Sequence, residues 1–119
     1  MLAAPFTRDG GYAAAQSLAG GGLAGVELVF AVTDLMAIGA MAALRDAGLA
    51  PGRDVAVAGF DDITPAVDVT PALTTVAAPL VDVGARAMRL ALSPGPEETE
   101  PVSIATTVVL RDSTPARGS

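Results

Sequence analysis

VELVFAVTDLMAIGAMAALRDAGLAPGRDVAVAGFDD, Val26 to Asp62, reads as a strand, a helix and a second strand. Val26–Val32 is a mostly apolar run of β-branched and aromatic residues, the composition of a strand buried on both faces. Thr33 and Asp34 follow, and either side chain can cap the next helix. That helix, Leu35–Ala47, carries Met36, Gly39, Ala40, Ala43 and Ala47 at helical spacing, and Gly48 supplies the residue that ends it. Val55–Phe60 is a second buried strand, closed by Asp61 and Asp62. A strand–helix–strand unit of this kind makes a parallel pair with a right-handed crossover.

The same punctuation extends outward. Thr7 and Asp9 can cap a helix over about Gly10–Ala19, which Gly20, Gly21 and Gly22 then stop. Beyond Asp62, Ile63–Pro71 is a loop with room for one helical turn, and Thr74–Ala77 is a short strand. Leu80–Leu92 is an amphipathic helix, with Val83, Gly84, Ala87, Leu90 and Ala91 predicted toward the core and Asp82, Arg86 and Arg89 outward. Residues 93–101 form an acidic, proline-rich surface loop, Ser103–Leu110 a last strand, and residues 112–119 a tail. The order predicts the α/β class: a parallel sheet with helices on both faces, in one domain or one lobe of a larger one.

Composition narrows the function classes. The 119 residues hold no cysteine, so disulfides and cysteine metal sites are excluded, and no histidine, the commonest general base and metal ligand. The net charge is −6 and every basic residue is arginine. A nucleic-acid surface needs a clustered basic face, which scattered arginines in an acidic chain do not make. Residues 1–12 have no signal-peptide pattern, and Glu27, Asp34, Gly25 and Gly39 interrupt the apolar stretch Leu23–Ala43. A cytoplasmic protein without a membrane span, a metal or a cofactor is expected.

In an open parallel sheet, ligands bind beyond the carboxyl ends of the strands. Thr33 and Asp34 end the first strand, and Asp61 and Asp62 the second. Neighbouring strands would gather three carboxylates and a hydroxyl around one crevice, where they can accept hydrogen bonds, hold a cation or exchange protons. Asp34 reads more readily as a helix cap and Asp62 as a turn residue, which leaves Asp61 the best candidate for a ligand contact. Phe6, in a turn-like stretch, is either a stacking platform or a staple against the first helix. Gly20–Gly22 follows a helix rather than a strand and is no dinucleotide fingerprint.

Three blocks carry a resemblance. Ala31–Asp62 resembles the LacI/GalR repressor pattern in which a strand ends in Asn-Asp, a Met-Ala-x-Gly helix follows, and a second strand ends in Gly-Phe-Asp-Asp. PALTTVAAPLVDVGARAMRLAL, Pro71–Leu92, is similar to the next family block, and VVLRDSTP, Val108–Pro115, to the block near the family's C-terminus. The resemblance implies the C-terminal lobe of a periplasmic-binding-protein-like effector domain, without the operator-reading helix-turn-helix and most of the other lobe. It implies a bound sugar, nucleoside or similar effector, and no catalysis. By position, Asp61 matches the family acid that hydrogen-bonds the effector and Phe6 the aromatic that stacks on it. Thr33 stands where Asn is frequent, and Ala78 where Gln is frequent, departures that suit a less hydroxylated ligand or a weaker site. A homodimer through the helix 35–47 and the loop 63–70 is implied as well. The alternatives are a transporter's periplasmic sugar-binding protein, a hydrolase using Asp61 and Asp34, and a truncated fragment with no function of its own.

Overall fold

A computed structural model describes residues 1–21, 23–93 and 103–117. The predicted loop at 93–101 lies outside these residues from 94 onward, as do Gly22 and the last two residues of the tail. Helix α1 (Arg8–Gly21) is followed by strand β1 (Leu28–Phe30), helix α2 (Asp34–Asp46) and strand β2 (Ala56–Ala58). Then come the single turn α3 (Pro65–Asp68), strand β3 (Thr75–Ala77), helix α4 (Leu80–Leu92) and strand β4 (Thr107–Val109).

β1 and β2 pair in parallel, with Val29 opposite Val57, as the strand–helix–strand reading requires. Ala58 bridges Thr74 in parallel, which brings the β3 segment beside β2. β4 departs from the parallel pattern and pairs antiparallel with β3. The α2 ends are set by local chemistry. Thr33 Oγ1 accepts the Met36 N–H (3.2 Å), so Thr33 is the cap and Asp34 is released for another task. At the other end Leu49 N–H reaches Leu44 O, Gly48 N–H reaches Arg45 O, and Gly48 has φ +82°. This is the paired capping of a Schellman motif.

The core is built from small side chains. Ala37, Met41 and Leu44 of α2 pack on Val55 and Val57, with Ala66 of α3 and Leu73 closing it. α1 lies across α2 at glycine contacts. A Cβ on Gly39 would run into the Arg8 carbonyl, and one on Gly11 into the Met36 carbonyl. Alanine is frequent here because the backbones are too close for anything larger.

Two expectations are corrected. β1 is not buried on both faces: Leu28, Phe30 and the neighbouring Val32 are exposed, while Val29 and Ala31 pack on the core. Side chains alternate along a strand, and no described element covers the second face. Likewise, no residue of α4 is buried, and Leu90, predicted inward, is among the exposed apolar residues. The only described hydrogen bond from its side chains to a residue outside the helix is Arg86 to the Ser103 carbonyl (3.4 Å), too little to seat the helix on the core.

Candidate functional site

The carboxyl ends of β1 and β2 lie side by side, and hydrogen bonds tie the residues after them together. Asp34 N–H donates to the Phe60 carbonyl (2.9 Å), and Gly59 is needed there because a Cβ would strike the Asp34 carboxylate. The start of α1, with Phe6 and Thr7 just before it, reaches the same end of the fold through the contacts of Gly11 and Gly39 with α2.

The three carboxylates have separate fates. Asp34 is 1% exposed, its Oδ1 accepting the Thr75 hydroxyl (2.6 Å) and its Oδ2 the Ile63 N–H (3.0 Å). It is neither helix cap nor free ligand contact: it clasps the start of α2, the turn after β2 and β3. Asp62 is paired with Arg111 at 2.8 Å, and its N–H donates to Thr75 Oγ1 (3.2 Å). Asp61 alone of the three has no side-chain hydrogen bond among the described residues, and it is partly exposed. Its N–H is held by the Val76 carbonyl (2.9 Å).

Asp61 and Asp62 both have positive φ, 115° and 57°. Left-handed backbone at a non-glycine residue costs on the order of 1–3 kcal/mol and concentrates at ligand sites. The cost is met here by hydrogen bonds on every side of residue 61, from Phe60 O to Ile63 N.

Phe6 is 74% exposed and so is not stapled to α1, whose cap is Thr7: Thr7 Oγ1 accepts the Gly10 N–H (2.9 Å). Thr33 Oγ1 uses one lone pair in capping and keeps its O–H to donate. The free groups at this end are thus an acceptor pair on Asp61, a hydroxyl on Thr33 and an aromatic ring on Phe6. The surroundings are negative, with Arg111 committed to Asp62.

Three partners escaped the sequence reading: Thr75, Arg111 and the buried Ser113. Ser113 Oγ donates to Val57 O (2.6 Å) and accepts Thr74 N–H (2.8 Å), which fastens the C-terminal segment to β2. Each contact spans about forty residues or more of chain, which no local pattern discloses. The only local hint was the Thr74-Thr75 pair in an otherwise apolar strand.

A family model described as a periplasmic binding protein-like domain matches residues 3–114. The chain belongs to this family. Within it the chain is of the LacI/GalR type. It is 40% identical over 87 residues to the HTH-type transcriptional regulator MalR of Streptomyces coelicolor, covering 73% of this chain and 24% of that protein. A crystal structure of a LacI family transcriptional regulator from Arthrobacter sp. FB24 superposes with a TM-score of 0.79 at 30% identity, over 95% of this chain and 44% of that one. The transcriptional regulator CelR, in complex with cellobiose, gives 0.73 at 36% identity over 91% and 34%. This chain of the LacI/GalR type thus spans about a quarter of the curated regulator's length. No described helix is long and apolar enough to cross a membrane.

Proposed function

We propose that the chain is the effector-sensing part of a LacI-type transcriptional regulator, binding a neutral sugar-like molecule at the carboxyl ends of β1 and β2. One observation carries this: of three carboxylates gathered there, Asp61 alone has no side-chain hydrogen bond among the described residues, on a backbone strained to hold it. A carboxylate accepts two hydroxyl hydrogen bonds at once. Phe6 stacks on the ring and Thr33 donates its hydroxyl. Among the described residues Arg111 is the single cation fixed beside these aspartates, and it is spent on Asp62, so phosphorylated and carboxylated ligands are disfavoured. The work is binding, not turnover: the named relatives are transcriptional regulators. Reading of operator DNA belongs to other parts of such regulators, in the cytoplasm, and a homodimer forms through α2 and the loop 63–70, where Leu35 and Val67 are exposed.

A melting panel tests the reading. Cellobiose and other neutral sugars should raise the midpoint of the chain in proportion to ln(1 + [L]/Kd), and sugar phosphates should not. Asp61→Ala should remove the shift. A shift that survives this substitution refutes the assignment.

A further inference from the structure

We infer that Arg111, forty-nine residues beyond Asp62 in the chain, is a positioning residue that sets the direction of the Asp61 carboxylate. The inference rests on Asp61 being the effector-binding acid. Arg111 uses its fork on two targets: Nη1 donates to the Leu73 carbonyl (2.9 Å) and Nη2 to Asp62 Oδ1 (2.8 Å). Its own N–H donates to Thr74 Oγ1 (2.7 Å), and Ser113, two residues on, is fully buried and bonded to Val57 and Thr74. The guanidinium is therefore a fixed post, tied to β2 and to the residues leading into β3. A lysine could not serve both targets in this geometry.

The post acts on residue 61 through residue 62. Asp62 is gripped twice, at its carboxylate by Arg111 and at its N–H by Thr75 Oγ1. Thr75 also donates to Asp34, whose other oxygen takes the Ile63 N–H. The grips confine Asp62 to φ 57° and leave Asp61 at φ 115°, with no described side-chain hydrogen bond of its own. Without Arg111, the Asp62 carboxylate would sit beside Asp34 and Asp61 with no fixed cation. Residues 61 and 62 would then be free to leave the left-handed region. The last segment of the chain thereby becomes part of the binding site without touching the ligand.

The test uses the 15N-labelled chain and cellobiose as the probe. Arg111→Met should change the amide-to-Hα coupling of Asp61, which reports φ directly, and weaken cellobiose by about tenfold, the loss of one hydrogen bond to a charged group. Arg111→Lys should leave both defects in place. The Asp61 coupling is the readout that a merely structural role for Arg111 would not move. Should Arg111→Met unfold the chain, Asp62→Ala removes the acceptor of the same pair from its more exposed side and is read in the same way. An unchanged Asp61 coupling in either folded variant, or an undiminished cellobiose affinity beside a changed coupling, overturns the inference. If the wild-type chain binds no sugar, the effector reading fails, while the coupling of Asp61 still decides whether Arg111 sets its conformation.

Discussion

At the residue scale, aspartates of equal appearance in the sequence do unequal work. Asp34 is consumed by internal hydrogen bonds, Asp62 by an ion pair, and Asp61 is left over on a strained backbone. Asp34→Ala leaves the Thr75 hydroxyl and the Ile63 N–H without their acceptor in a buried place. It should destabilise the chain by about 3 kcal/mol, two unsatisfied donors at the usual cost, as read by chemical denaturation. Asp61→Gly should do the opposite. Glycine adopts positive φ freely, so the substitution should stabilise the chain by about 1 kcal/mol while abolishing sugar binding. A loss of stability on Asp61→Gly would mean that the carboxylate has an internal partner.

At the element scale, the helices answer to glycine in two ways. Gly39 sits where α1 and α2 touch, and Gly84 faces open space on α4. Gly39→Ala must push the Arg8 carbonyl away and should cost about 1–3 kcal/mol, despite alanine's better helix propensity. Gly84→Ala should add up to about 1 kcal/mol, for propensity alone decides there. Thermal melts of the two variants should move in opposite directions. The turn into β2 has a pH signature of its own. Asp54 Oδ2 accepts the Ala50 N–H (2.7 Å), and that bond, helped by Arg53, holds its carboxyl below the usual 3.8. A group with a lowered folded pKa contributes stability above its unfolded value and loses it as pH falls through the folded one. The melting advantage of wild type over Asp54→Asn should therefore be full at neutral pH, begin to fall as the pH drops below the usual 3.8, and vanish only below the lowered folded value.

Most elements are legible in the sequence, because capping residues, the Gly48 stop and apolar periods are local signals, but α1 runs on through Gly20 and Gly21, the glycines that predict its end. Helix 80–92 was placed to the residue, and α2 to within one residue at either end. The strands came out shorter, since an apolar run marks what is sheltered and only part of it pairs. Which faces stay open was not legible. The apolar pattern of α4 and of β1 asks for a covering partner, and the pattern is the same whether or not one is present. Of the site, the strand-end aspartates were visible, but their division of labour depends on Thr75 and Arg111, far along the chain.

At the scale of the whole molecule, the chain is longer and less sheltered than its size requires. Its accessible surface is 7728 Å², against about 5,900 Å² for a compact monomer of this length. Its radius of gyration is 17.0 Å, against about 13.5 Å. The apolar faces of β1 and α4 account for much of the exposed Leu, Val, Met and Phe, and α2 adds Leu35 alone. Association should follow. Sedimentation velocity should show a concentration-dependent dimer that Leu35→Asp converts to monomer, and a monomer at every concentration would remove α2 as the interface.

The most direct measurement is an amide NMR titration of the chain with cellobiose, in wild type and Asp61→Asn. Sugar sensing at the strand ends predicts shifts centred on Asp61, Thr33 and the Phe6 turn, absent from the variant. Shifts elsewhere, or shifts equal in the two proteins, would contradict it.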